Sequence, residues 1–68
     1  METEGLRFSD AANDLETAAS SSNYFDKNRN SPKSIARYLL YKVAEKLYER
    51  GKYFIDARRC YGLAKNVL

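Results

Sequence analysis

The 68-residue chain contains no histidine and no tryptophan, and only one cysteine, one proline and three glycines. Histidine is the commonest general base and the commonest nitrogen ligand of metal ions, so its absence argues against most catalytic and metal sites. One cysteine cannot form an intrachain disulfide or a cysteine-based zinc site. The glycines do not form a phosphate-binding loop. We therefore expect a protein that is not an enzyme and that uses no metal and no cofactor.

Long apolar runs are missing as well. No stretch approaches the ~18 consecutive apolar residues of a membrane-spanning helix, and residues 1–5 lack the basic and apolar regions of a signal peptide. Cys60, which has no partner for a disulfide, favours a reducing compartment and is expected to pack as a small apolar residue. These features predict a cytoplasmic protein, with the nucleus as the alternative, and no membrane contact.

The composition that remains is typical of a folded domain, with 44% hydrophobic and 31% charged residues. We expect one domain over residues 1–68, with a flexible start at 1–5 and a loop at 24–31. A chain of this size buries only about 60% of the surface that it exposes when unfolded. This small gain favours self-association or a stabilising partner.

Apolar residues recur at helical spacing in three segments, and none shows the strict alternation of a half-buried strand. The predicted helices span about 6–23, 32–50 and 53–67. Ser31 and Pro32 predict the start of the second helix, as its N-cap and its first residue. Gly51 is expected to end this helix in the left-handed conformation. The sequence therefore predicts an all-α protein, a small three-helix bundle.

The second helix is apolar over an unusually broad arc. A helix of this kind usually contacts two neighbours, as the middle member of a three-helix bundle does. We therefore expect the leucines and valine of this arc to lie in the core, with three tyrosines along one flank. The apolar positions are Ala36, Leu39, Leu40, Val43, Ala44 and Leu47, and the flanking tyrosines are Tyr38, Tyr41 and Tyr48.

Gly51-Lys52-Tyr53, followed by Ala57, Tyr61 and Ala64, resembles the tetratricopeptide repeat, whose glycine, aromatic and alanine positions lock two antiparallel helices together. A similar pattern occurs in microtubule-interacting-and-transport domains, three-helix bundles of about this size that hold short helical motifs of partner proteins. The resemblance covers residues 35–68, with one extra residue before Ala57, and no second copy forms a repeat array. It implies a bundle that binds a helix or peptide, with these residues forming the seam of the hairpin.

Charge is unevenly divided along the chain. Up to Asp26 there are six acidic residues against one basic residue, and from Lys27 onward there are eleven basic residues against three acidic ones. This asymmetry indicates either a basic surface for an acidic partner or two halves that attract each other. Asp10 and Asp14 lie one turn apart on the first helix, and we interpret them as a solvated acidic face rather than a cation site.

Gly62 interrupts the third helix at a cost of roughly 1 kcal/mol relative to alanine. A glycine in this position either marks the close approach of another backbone or is tolerated at the surface. The sequence leaves both interpretations open.

Two functions remain open. The first is a non-enzymatic protein–protein interaction module that binds an acidic or amphipathic partner helix, or a second copy of itself. The second is a small basic protein that binds nucleic acid through contacts between cations and phosphates. The predicted partner-binding residues are Arg58, Arg59, Lys65, Tyr38, Tyr41 and Tyr48. The predicted nucleic-acid-binding residues are Lys33, Arg37, Arg58, Arg59 and Lys65.

Overall fold

The computed structural model describes residues 2–21, 26–28 and 30–67, with side chains from residue 7 onward. It contains three α-helices, α1 (Glu2–Ala19), α2 (Pro32–Arg50) and α3 (Phe54–Val67), and no strand within the described residues. The predicted all-α three-helix bundle is confirmed. The bounds of α1 differ, because it begins four residues earlier than predicted and ends at Ala19 instead of residue 23. Residues 2–5, which we expected to precede the helix, belong to α1.

The start of α2 is fixed by hydroxyl groups. Ser31 is extended, with φ −70° and ψ 155°, and its Oγ accepts a hydrogen bond of 3.2 Å from the backbone N–H of Ser34. Ser34 Oγ in turn donates to the carbonyl of Asn28 at 2.8 Å and ties the preceding loop to the helix. Pro32 follows the cap and costs no backbone hydrogen bond there. The sequence prediction for this boundary is confirmed.

The end of α2 corrects a prediction. Gly51 remains right-handed, with φ −83° and ψ 0°, and the left-handed residue is Lys52, with φ 66°. Lys52 N–H donates to the carbonyl of Glu49 at 3.0 Å, and Tyr53 N–H donates to that of Tyr48 at 2.8 Å. These two bonds form a Schellman motif, in which Lys52 takes the position that glycine usually fills. The turn thus lies one residue later than expected, and the ring centroids of Tyr48 and Tyr53, which flank it, lie 6.4 Å apart.

The core lies where α2 packs against both other helices. Core clusters join Tyr48 to Ala12 and Tyr41 to Ala19, so α2 runs antiparallel to α1. The same clusters join the two tyrosines to residues of α3 in antiparallel order. Small side chains surround the two large rings and let the helices approach closely. The buried hydrophobic residues are Ala12, Ala19, Tyr41, Ala44, Tyr48, Ala57, Cys60 and Ala64.

Part of the predicted core is wrong, because tyrosines of α2 are buried where aliphatic residues were expected. Leu39 and Val43 were expected inside, yet they are 53% and 49% exposed, whereas Tyr41 is 1% exposed. Two tyrosine rings fill the space between the helices, so α2 presents Tyr41 and Tyr48 inward and Leu39 and Val43 outward, while Leu40 and Leu47 pack at the edge of the core. The predicted hairpin seam changes in the same way, because Ala57 and Ala64 are buried while Tyr61 lies at the surface.

Candidate functional site

A groove runs along the junction of α2 and α3. Ala57 and Ala64 bring the two helices close together, and larger side chains stand along both rims. The half of the groove near the end of α3 encloses about 250 Å³, and its lining consists of Tyr38, Lys42, Tyr61, Ala64 and Lys65. The other half encloses about 320 Å³, and its lining consists of Glu45, Glu49, Phe54, Ala57, Arg58 and Tyr61. We call this surface the α2–α3 groove.

Exposed aromatic rings line the α3 side of the groove. Phe54 is 63% exposed and Tyr61, two turns later, is 50% exposed. A single exposed aromatic residue is ordinary, but two rings along one groove form an apolar strip that a partner side chain can cover. Arg58 and Lys65 each follow one of these rings by four residues, so aromatic and cationic side chains alternate along this side of α3.

Three cations and two carboxylates line the groove, so its net charge is positive by one. Lys42 Nζ lies 3.0 Å from Glu45 Oε1 and 5.1 Å from the centroid of the Tyr61 ring. The contact with the Glu45 carboxylate raises the pKa of Lys42, which stays protonated at neutral pH. Arg58 and Lys65 make no ion pair with any residue that the structure describes. Two cations of α3 are therefore available to carboxylates from outside.

Arg59, although adjacent to Arg58, belongs to a different environment. Its guanidinium binds Glu16 of α1 through two hydrogen bonds of 3.0 and 2.8 Å, and Asp56 through a third of 2.8 Å. Tyr48 Oη also donates to Glu16, at 3.0 Å. These bonds raise the pKa of Arg59 above its usual value, chiefly through Glu16. Arg59 thus joins α1 to α3, and its charge is already compensated.

Two of the three predicted tyrosines are inside the protein. Tyr41 is 1% exposed, with its hydroxyl 3.0 Å from Ser20 Oγ, and Tyr48 is 3% exposed. Burial, together with the hydrogen bond to Glu16, raises the pKa of Tyr48 to about 12. Neither ring is available to a partner in this fold. Tyr38 is half-buried and is the one of the three that lines the groove.

The residues predicted to bind nucleic acid do not form one surface. Arg37 is half-buried, and its guanidinium carbon lies 5.8 Å from the centroid of the Tyr41 ring. Lys33 is exposed at the start of α2, and neither residue lines the groove that holds Arg58 and Lys65. Because Arg59 is paired as well, only two of the five cations come together.

The groove includes three residues for which the sequence predicted no binding role. Tyr61 was placed in the seam of the hairpin, and Phe54 and Lys42 were not among the predicted partner-binding residues. The alternation of ring and cation at positions 54, 58, 61 and 65 is the signal that points to this face, because all four fall on one side of a helix. This alternation could be interpreted as an exposed face only once it was known that Ala57 and Ala64, and not Tyr61, pack between α2 and α3.

A second, apolar groove lies between α1 and α2 on the other side of α2. It encloses about 270 Å³ and has almost no polar lining. We call Ile35, Leu39 and Val43 the α2 stripe, because they lie one turn apart along the outer side of α2 and are 46–53% exposed. The residues lining this groove are Leu15, Ala36, Leu39, Leu40 and Val43.

No protein-family model matches this chain, and it shows no significant similarity to a curated protein or to a solved structure. The resemblance to the tetratricopeptide and microtubule-interacting-and-transport hairpins therefore stays a prediction. Over the described residues, no helix has the length and apolarity needed to cross a membrane. In the same part of the chain, no cluster of three or more histidine, cysteine or acidic residues is arranged to hold a metal ion.

Proposed function

We propose that this protein is a non-enzymatic interaction module that binds an acidic amphipathic helix of another protein in the α2–α3 groove. One observation carries the proposal. Phe54, Arg58, Tyr61 and Lys65 form a row of alternating rings and cations, which faces Tyr38 and Lys42 in one half of the groove and Glu45 and Glu49 in the other.

The chemistry of the row defines the partner. Apolar side chains on one face of the partner helix would cover Phe54 and Tyr61, which lose contact with water on binding. Acidic side chains flanking that face would meet Arg58 and Lys65 in charge-assisted hydrogen bonds. The row spans 12 helical residues, from Phe54 to Lys65, or roughly 16 Å, so the partner segment needs about three helical turns. The cytoplasm, or alternatively the nucleus, is the compartment we propose for this binding.

Selection from a library of displayed random peptides of roughly 16 residues, enough for about four helical turns, tests the proposal and defines the preferred partner sequence in one experiment. We expect the enriched peptides to combine acidic residues with apolar or aromatic residues at spacings of three and four. Their affinity should fall about tenfold or more for the double variant Arg58→Glu/Lys65→Glu, because two attractive contacts become repulsive.

The matched control reverses two exposed cations outside the groove, Lys33→Glu and Arg50→Glu. Net charge changes equally in both double variants, so a loss confined to the groove variant identifies the site rather than a general charge effect. Enrichment of basic peptides, or equal loss in both variants, would refute the proposed function. Tighter, salt-sensitive binding of a mixed-sequence oligonucleotide would favour the nucleic-acid alternative instead.

A further inference from the structure

No residue that the structure describes covers the α2 stripe. Ile35, Leu39 and Val43 are half-exposed in a row, and the adjacent groove is lined by aliphatic side chains from both α1 and α2. Contiguous apolar surface of this kind marks an interaction site in a folded protein. The aromatic and cationic residues of the α2–α3 groove lie on the other side of α2, so this second surface needs an occupant of its own.

On the α1 side, the border of the stripe is acidic. Ala11 and Ala18 lie one turn to either side of Leu15, and the exposed Asp14 lies between them on the outer side of α1. Asp10, also exposed, and Arg7 lie on the same side of the helix, but both are beyond the end of the stripe, because the pairing of Ala12 with Tyr48 places Asp10 level with Arg50.

On the far side, the border of the stripe is basic. Lys46 is one turn beyond Val43, and Lys42, one turn before Lys46, is a helical neighbour of Leu39. Lys46 is 71% exposed and lies 3.8 Å from Glu49, a surface pair that exchanges easily for another carboxylate. Because Ala12 packs with Tyr48 and Ala19 with Tyr41, Asp14 and Lys46 lie at about the same level of the antiparallel pair.

An apolar surface with a carboxylate at one edge and ammonium groups at the other is complementary to itself. A two-fold axis parallel to the helices places the acidic edge of one copy, on α1, against the basic edge of the other copy, on α2. Asp14 then faces Lys46 of the second copy, while the aliphatic side chains meet in the middle. A two-fold axis across the helices would place like charges together instead.

We propose that this chain forms a symmetric dimer through the α2 stripe, with the two-fold axis parallel to the helices. Each α1 then packs against α2 of the second copy in antiparallel orientation, and the four helices form a bundle of the ordinary kind. The added core compensates for the small interior of a 68-residue chain. This inference does not rest on the proposed function, and the two surfaces share only Lys42, which lines the α2–α3 groove and borders the stripe.

Sedimentation equilibrium from about 1 μM to about 500 μM, a range suited to micromolar dissociation constants, tests the dimer. We expect the mass to double across this range, and Leu39→Glu to weaken the dimer at least about 30-fold by burying a charge in the interface. Ile55→Glu is the matched control, since Ile55 is 87% exposed on α3, away from the stripe, and this change should leave the dimer intact. Circular dichroism checks that both variants remain helical.

Charge exchange tests the direction of the axis. Asp14→Lys and Lys46→Glu should each weaken the dimer about threefold to tenfold, and the double variant should regain most of the loss, because the pair re-forms between copies. A protein that stays monomeric throughout overturns the proposal, as does a dimer that resists Leu39→Glu. A double variant no better than the single variants overturns the proposed axis. If the Leu39→Glu variant still binds the selected peptide, the proposed function is supported independently of the result for the dimer.

Discussion

At the scale of single residues, the turn between α2 and α3 places its backbone strain on a lysine and not on the adjacent glycine. Lys52 occupies the left-handed position of the Schellman motif with φ 66°, whereas the glycine one residue earlier has a backbone conformation open to any residue. This conformation costs a non-glycine residue about 1–2 kcal/mol. The turn is nevertheless kept, because Tyr53 packs on Tyr48 and its N–H completes the motif.

Lys52→Gly should therefore raise the free energy of unfolding by about 0.5–1 kcal/mol, since relief of the strain exceeds the added freedom of the unfolded chain. Lys52→Ala is the control, because alanine keeps the strain and should change stability little. Urea denaturation followed by circular dichroism measures both variants. A glycine variant less stable than the parent would show that Lys52 contributes contacts that outweigh the strain.

Gly62 gives a second prediction at this scale. A Cβ atom placed there would meet nothing within 4 Å, so no part of the described structure requires a glycine. Gly62→Ala should raise the free energy of unfolding by roughly 0.5–1 kcal/mol through helix propensity alone. The binding of a selected peptide should be unchanged. Loss of that binding in a stabilised variant would mean that a partner approaches the backbone at this point.

At the scale of helices, Glu16 holds the bundle together across its open side. α2 packs against both neighbours, and one carboxylate of α1 accepts hydrogen bonds from Arg59 of α3 and Tyr48 of α2. Sequence reasoning identified Arg59 only as part of a basic face, because its partner is 43 residues away. Local signals, by contrast, predicted the start of α2 correctly, since Ser31 and Pro32 act within one turn.

A double-mutant cycle with Glu16→Gln and Arg59→Gln measures this link. We expect a coupling energy of about 1 kcal/mol, because the pair is bidentate and Glu16 is largely shielded from water. The same cycle on Lys46 and Glu49, which are 3.8 Å apart and well exposed, should give less than about 0.5 kcal/mol. Equal coupling in both cycles would contradict a stabilising link between α1 and α3.

Alkaline pH should destabilise the packed helices in two steps. Burial raises the pKa of Cys60 from 9.0 to about 11, and burial with the Glu16 contact raises that of Tyr48 from 10.0 to about 12. Between the unfolded and folded pKa values the unfolded chain binds fewer protons, so the free energy of unfolding falls as pH rises. Denaturation from pH 8 upward should show a decline beginning near pH 9, and Cys60→Ala should remove its first part. A curve for Cys60→Ala parallel to that of the parent would contradict this origin.

At the scale of the whole molecule, α2 separates two surfaces of different chemistry. The three helices and the excess of basic residues could be predicted from the sequence, because they depend on residue spacing and composition alone. It could not show which side of α2 faces inward, since aliphatic and tyrosine residues are both apolar enough for a core. Packing decides this point, and it buries Tyr41 and Tyr48 while leaving Leu39, Val43 and Tyr61 exposed. The predicted sites divide accordingly, with Tyr38, Arg58 and Lys65 together in one groove.

The central claim is that an acidic amphipathic helix occupies the α2–α3 groove. Backbone amide spectra of isotope-labelled protein, titrated with a peptide selected from the random library, test it most directly. We predict shift changes concentrated at Tyr38, Lys42, Tyr61 and Lys65, with little change along α1. Changes centred on Leu15, Leu39 and Val43 instead would contradict it.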